Sequence, residues 1–325
     1  MHPRADRITW AVGGTMRIAI VGQQKFGKSV LEAFAARGHT VAGVFCAPEK
    51  MGVAPDPLRL AAESLGIRVH QLASLRTNEA KDLLRTMAVD LGVMAYVLQF
   101  APQEFTSIPT HGTIQYHPSL LPQYRGPSAI NWSIIRGESR TGLTIFRPTD
   151  GLDEGPVILQ KATTIGPDDT LGSVYFDRLF PMGVAALLEA ADLVAVGQAP
   201  EIPQDESNAR YEGWCRSAEA KINWHTHVDL VYDLIRGCDP APGAWTLWNA
   251  EKLQLFDTRK HTVRTFSQVS GAVGTITSVG DRSFRVAAHG GEIEVSKVNY
   301  GERGKLSAAQ FCAEAGIRAG SPLGN

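Results

Sequence analysis

The chain has 325 residues, 44% of them hydrophobic and 20% charged, with a formal net charge of -1 at pH 7. That length and composition suit two globular domains. The near-neutral charge gives no general attraction to nucleic acid or to an anionic membrane, and no apolar run approaches the roughly 18 residues needed to span a bilayer.

Residues 1–15 lack the apolar run of a secretory signal and read as a loose extension ahead of Met16. From there strand and helix alternate. Arg17–Val21 is a buried strand, Phe26–Arg37 has helical spacing and stops at Gly38, and Thr40–Cys46 is a second strand. A Pro- and Gly-rich loop, Pro48–Pro57, precedes helices at Leu58–Leu65 and Ala80–Met87. Strands follow at Asp90–Tyr96, Gly112–Tyr116 and Thr141–Phe146, with a helix at Ala129–Arg136. This rhythm predicts an α/β fold with an open, mostly parallel sheet, whose ligand lies beyond the carboxyl ends of its strands. The loops after Tyr96, Tyr116 and Phe146 are then expected at one sheet edge.

Thr170–Val196 reads as one long helix with Asp168 or Asp169 as its N-cap, and Gln198–Arg210 as a polar linker. Beyond it a helix, His225–Arg236, precedes short strands near Ala244–Trp248, Leu253–Phe256, Val273–Ser278, Phe284–Ala287 and Ile293–Val298. Gly and Asp punctuate them, as in a small barrel or sandwich. The four cysteines, Cys46, Cys215, Cys238 and Cys312, have neither zinc nor disulfide spacing and fit a reducing, cytoplasmic setting. His225 and His227 fall on different helical faces and read as a helix start rather than a metal site.

Three segments could carry chemistry. Gly22-x-x-x-x-Gly27-Lys28-Ser29 matches the phosphate-loop signature between a strand and a helix, which keeps a nucleotide-binding protein open as an alternative. Against it, no apolar strand ends in an Asp that would help hold magnesium, and the two glycines also suit a tight strand-to-helix turn. Gln115–Gly126 (QYHPSLLPQYRG) sets His117 just past a strand in a loop stiffened by Pro118 and Pro122. Thr149–Gly155 (TDGLDEG) offers Asp150, Asp153 and Glu154 on a glycine-flanked turn. An imidazole and a carboxylate brought together could move protons and stabilise an oxyanion.

His117-Pro118-Ser119-Leu120-Leu121-Pro122, followed by Gly151-Leu152-Asp153-Glu154-Gly155, resembles the folate-dependent formyltransferase family, from about Met16 to past Val298. Within it, Ala47–Val69, Gln99-Phe100, Ser128–Trp132 (SAINW), Ala220–Trp224 (AKINW) and Pro242–Trp245 (PGAW) look most like the amino-terminal hydrolase domain of 10-formyltetrahydrofolate dehydrogenase. The chain is also similar to methionyl-tRNA formyltransferase. The resemblance implies a Rossmann-like catalytic domain over 16–206 and a small OB-like β-barrel over 207–325. It assigns catalysis to His117 and Asp153, with Gln115 as a third candidate. It assigns folate contacts to Gln99, Phe100, Ala101, Ser119, Leu120, Leu121, Pro122, Asp150 and Gly151. It calls for no metal and no cofactor besides 10-formyltetrahydrofolate as substrate.

Two departures bear on the formyl acceptor. The family's transferases carry asparagine where this chain has Gln115, and the hydrolase domain has an aliphatic residue there. The tRNA-specific enzyme has a long basic insertion where Pro48–Pro57 holds only Lys50. From Ser207 onward there are 14 Lys+Arg against 12 Asp+Glu, no concentration of positive charge for a phosphate backbone. Water is therefore the first expectation as acceptor. An amine (a sugar, a nucleotide intermediate or charged tRNA) is the second, and a folate-binding module without turnover is a further alternative. The sequence leaves oligomeric state open.

Overall fold

The computed structural model describes residues 14–263, 269 and 271–324, so residues 1–13 of the expected extension lie outside the described residues. Two compact units are present. One groups the described part of Met1–Arg125 with Leu143–Lys161 and Phe180–Ala209; the other groups Gly126–Gly142, Ala162–Leu179 and the described part of Arg210–Asn325.

The first unit holds most of a seven-stranded sheet. Its strands are β1 (Arg17–Gly22), β2 (Thr40–Cys46), β3 (Val69–Gln71), β4 (Leu91–Ala95), β5 (Thr113–His117), β6 (Arg140–Phe146) and β7 (Val157–Thr164), in the order β3-β2-β1-β4-β5-β6-β7. The pairs from β3 through β5 are parallel, and β6 runs antiparallel to β5. Strand order reverses between β1 and β4, the switch point that makes a crevice in doubly wound sheets. Ile18, Ile20, Val93, Ile114 and Tyr116 pack on one face with the helices Gln24–Ala36 and Phe180–Ala195; Ala19, Val21, Met94 and Phe105 pack on the other. At three residues β3 is too short to carry a readable period, whereas β7, eight residues long with alternating burial, is a further strand that the reading of the sequence lacks.

The expected long helix is interrupted. Leu171–Val174 is α-helical, Tyr175–Leu179 is a π-turn, and a new α-helix runs Phe180–Ala195. Pro181 explains the break, because it has no N–H to give to a carbonyl one turn back and the wider π-turn absorbs the mismatch. The N-cap is Thr170, in a reciprocal capping box with Ser173, rather than Asp168 or Asp169.

The phosphate-loop match dissolves in the same way. The helix after β1 starts at Gln24, so Gly27, Lys28 and Ser29 lie inside it and this segment forms no phosphate-cradling loop. A Cβ on Gly22 would lie 2.0 Å from the Ala95 carbonyl oxygen, so this glycine serves close strand packing. The helix N-terminus already has an anion: buried Asp56 accepts from the Gln24 N–H at 2.9 and 3.0 Å, and from the Leu58 N–H at 2.8 Å. Among the described residues Lys28 pairs with Glu32, one turn on.

In the second unit, β8 (Trp245–Trp248), β9 (Glu251–Thr262), β10 (Ile276–Val279), β11 (Phe284–Ala288), β12 (Gly291–Tyr300) and β13 (Lys305–Ser307) form an antiparallel sheet in the order β10-β11-β12-β9-β8, with β13 on β12. It curls as the expected small barrel does. Leu253, Leu255, Val286, Ile293 and Val295 alternate inward against Val231, Tyr232 and Ile235 of the helix Val228–Gly237. His227 caps that helix, accepting from the Asp229 N–H. All four cysteines are buried and free. Two that are distant in sequence, Cys215 and Cys238, lie with their Sγ atoms 3.8 Å apart. No helix among the described residues is long and apolar enough to cross a membrane.

Candidate active site

Strand β5 sets the first part of the site by its two-residue period. Ile114 and Tyr116 turn into the core, the Tyr116 ring 4.5 Å from that of Phe26, so Gln115 and His117 share the opposite face. His117 is the last residue of the strand rather than a loop residue, and is 5% exposed. Its Nε2 lies 2.8 Å from the backbone oxygen of Tyr124. A carbonyl can only accept, so Nε2 bears a proton and Nδ1 is the ring's other functional atom. Gln115 is half-buried, and its side-chain amide has no hydrogen-bond partner among the described residues.

The loop from Pro118 to Arg125 is closed by its own hydrogen bonds. Ser119 Oγ donates to the Gln123 carbonyl at 2.6 Å. Buried Thr144 on β6 accepts from the Leu121 N–H and donates to the Ser119 carbonyl, while Gln160 on β7 donates to the Leu121 carbonyl and to Thr144. Thr144 and Gln160 were not singled out in the sequence; each is a polar residue on a strand, with no local signal of what it holds.

Asp153 arrives by a different route from the one expected. Because β6 is antiparallel to β5, pairing Phe146 with Gln115 and Thr144 with His117, the chain leaving Phe146 heads away from the carboxyl end of β5. The loops after Tyr116 and Phe146 therefore do not start at one sheet edge. The 147–156 connection is a hairpin loop that folds back, closed by the Arg147 N–H on the Pro156 carbonyl. Gly155 permits this, since a Cβ there would lie 1.6 Å from the Arg147 oxygen. The returning turn holds Asp153 in the left-handed region, with φ 56°, and buries it to 7% exposure. Its Oδ2 lies 3.5 Å from His117 Nδ1.

The expected folate contacts are placed unevenly. Phe100 is 40% exposed with the Arg76 guanidinium 4.6 Å from its ring centroid, and Leu120 and Pro122 are half-buried. Ala101 and Leu121 are buried, Ala101 in the core beside Phe105, and the Gln99 amide is bound to the Leu72 carbonyl at 2.6 Å. Asp150 is exposed and accepts from the Gln103 N–H at 2.8 Å, joining the loop after β4 to the returning hairpin. Gly151 is covered by the Glu154 carboxylate. No cluster of three or more His, Cys, Asp or Glu among the described residues is placed to hold a metal ion.

Residues 16–190 match the model of the formyl transferase domain, and 215–316 match that of the formyl transferase C-terminal domain. The chain belongs to the formyl transferase family. It is 42% identical over 252 residues to cytosolic 10-formyltetrahydrofolate dehydrogenase from Homo sapiens, a match covering 76% of this chain and 28% of that one. The chain thus spans little more than a quarter of that relative's length. Methionyl-tRNA formyltransferase from Syntrophus aciditrophicus (strain SB) is 33% identical over 313 residues, covering 94% of this chain and 98% of the relative. Among solved structures, HypX from Aquifex aeolicus in complex with tetrahydrofolic acid superposes with a TM-score of 0.67 at 18% identity, covering 94% of this chain and 49% of that one, a likeness of fold. Family membership and fold thus agree with the paired HPSLLP and GLDEG segments.

Proposed function

We propose that this family member removes the formyl group of 10-formyltetrahydrofolate by hydrolysis, releasing formate and tetrahydrofolate. The observation that carries the reading is the buried His117–Asp153 pair beside the uncommitted Gln115 amide. Because Nε2–H is held by the Tyr124 carbonyl, a second proton on Nδ1 makes the ring an imidazolium, and the Asp153 carboxylate balances that charge. The 3.5 Å separation is longer than a tight charge-assisted hydrogen bond, so Nδ1–H remains able to serve another acceptor.

In this reading water attacks the formyl carbon and gives up a proton to the Asp153 carboxylate. Nδ1–H of His117 and the Gln115 amide donate to the oxygen that becomes negative. The C–N10 bond then breaks, N10 takes a proton from the pair, and formic acid leaves as formate. The folate would lie along the loops that bear Gln99, Phe100 and Ala101, then Ser119 to Pro122, then Asp150 and Gly151. Where side chains are committed elsewhere, as in Gln99, Ser119 and Asp150, backbone groups would make the contacts. No further cofactor is part of the reading. It keeps residues 16–206 as the catalytic domain, 207–325 as the barrel domain, and a reducing cytoplasmic setting suited to four free thiols.

Transfer to an amine is the second reading, favoured by the end-to-end match with methionyl-tRNA formyltransferase. The sparse charge of the 48–57 loop speaks against a tRNA acceptor. The deciding experiment supplies 10-formyltetrahydrofolate alone, with small amines, and with charged initiator tRNA, and identifies the formylated product. Formate release without acceptor supports hydrolysis; negligible hydrolysis with fast, salt-sensitive tRNA formylation overturns it.

A further inference from the structure

The segment read from sequence as a linker carries a device the motifs do not reveal. Gln204 is half-buried while its neighbours Ile202, Pro203, Asp205 and Glu206 are exposed. Its Nε2 donates to two backbone oxygens of the returning hairpin, those of Asp153 and Gly155, each at 2.8 Å. Its Oε1 accepts from Arg125, from Nε at 3.2 Å and from one terminal nitrogen at 2.8 Å. The orientation of the amide is therefore set by chemistry: a guanidinium can only donate and carbonyls can only accept, so only one flip satisfies all four contacts.

Arg125, whose side chain is 6% exposed, is gripped from its other side by Glu206 at 2.6 and 2.9 Å. The Glu206 hydrogen bond raises the guanidinium further above its ordinary range, and Arg125 in turn holds Glu206 below the usual carboxylate range. Arg125 directly follows Tyr124, whose carbonyl holds His117 Nε2. The same strap meets this loop again where Gln123 donates to the Asn208 carbonyl at 2.6 Å. One segment, 204–208, thus ties the loop that fixes the histidine to the turn that fixes the aspartate.

We infer that Gln204, oriented by Arg125, is a positioning residue that holds the left-handed Asp153 turn at its distance from His117. The inference rests on the proposed roles of that pair. Asp153 needs such support, because a non-glycine residue at positive φ persists only when its surroundings over-determine it. The two hydrogen bonds from Gln204 flank the strained residue and supply that constraint.

The test is Gln204→Met and Gln204→Glu in the full chain. Both keep the length of the side chain. Glu would pair even better with Arg125 but has no N–H for the two carbonyls, so both variants should lower kcat about 10- to 100-fold with KM moved much less, as expected for a displacement near 1 Å. In an Asp153→Asn background, which keeps the left-handed turn, Gln204→Met should lower kcat no further, whereas a purely structural role would multiply the losses. Hydrogen exchange should quicken in peptides covering 148–157 and in the segments around Arg125 and Gln204 that the clamp joins to them, and stay unchanged elsewhere. Near-normal kcat in Gln204→Glu, multiplicative losses, or exchange that quickens uniformly overturns the inference. Should Gln204→Met and Gln204→Glu fail to fold, Glu206→Ala at its exposed position decides: a severalfold fall in kcat with faster exchange at 148–157 supports the clamp, and no change refutes it. A wild type that does not turn over 10-formyltetrahydrofolate defeats the functional reading, while the exchange data still decide whether the clamp exists.

Discussion

The Tyr124 carbonyl locks His117 from behind, 2.8 Å from Nε2, so only Nδ1 faces Asp153. His117→Ala and Asp153→Ala should each lower kcat by roughly 10²–10⁴, the range spanned by acid–base groups and oxyanion donors. The double variant should be little worse than either single one, since the two act as a unit. Asp153→Asn is the cleaner variant, because Asn tolerates the left-handed region better than Ala. Formate release is compared with melting temperature for each protein; near-normal kcat in a folded single variant sinks the assignment.

Gln115 tests the acceptor. Gln115→Leu copies the aliphatic residue of the hydrolase domain and should keep measurable formate release, weakly affected by moderate salt. The longer arm of Gln relative to the transferases' Asn aims its amide differently, and near-attack geometry is sensitive to displacements of about 1 Å. Gln115→Asn should therefore raise formyl transfer to small amines relative to hydrolysis. Product ratios by chromatography read this out, and an unchanged ratio argues that Gln115 does not choose the acceptor.

Lys28→Ala should leave formate release unaltered, and calorimetry should detect no ATP binding to the wild type. Asp56→Ala should instead destabilise the fold by about 1–2 kcal/mol, because one carboxylate caps two helix starts, at Gln24 and Leu58. Urea denaturation measures this. ATP binding abolished by Lys28→Ala would revive the nucleotide reading.

Burial, and more weakly the nearby Asp257, push the Asp239 carboxyl above its ordinary range. The folded state then binds its proton more tightly than the unfolded chain, so stability falls as pH rises from the ordinary aspartate value through the raised one. Asp239→Asn keeps an oxygen for the Asp257 N–H and removes the charge. It should have the higher urea midpoint at pH 7, and the difference should vanish as pH falls below about 4. A gain that persists at pH 3 would show that ionisation is not its source.

Strand-and-helix alternation to Phe146, the inward pattern of the barrel strands and the HPSLLP and GLDEG segments were legible because each is a local signal: periodicity, a glycine, a proline, a short run of fixed residues. Local signals failed where a distant contact decided. Nothing near Phe146 says that its strand runs antiparallel to β5, so the sequence could name Asp153 but not the hairpin that returns it to His117. Pro181 stands in the sequence, yet a proline can either end a helix or be absorbed in a wider turn, and only the structure shows the π-turn at Tyr175–Leu179 with the helix resuming at Phe180. Gln204 lay in a polar stretch with no period, and its two carbonyl partners are 51 and 49 residues away. The sequence by itself determined the chemistry on offer, an imidazole, a carboxylate and an amide in recognisable settings. Only the tertiary structure decided which ring nitrogen is free, how far it stands from the carboxylate, and what holds the two apart, because backbone carbonyls brought together by folding make those choices and carry no signature of their own in the sequence.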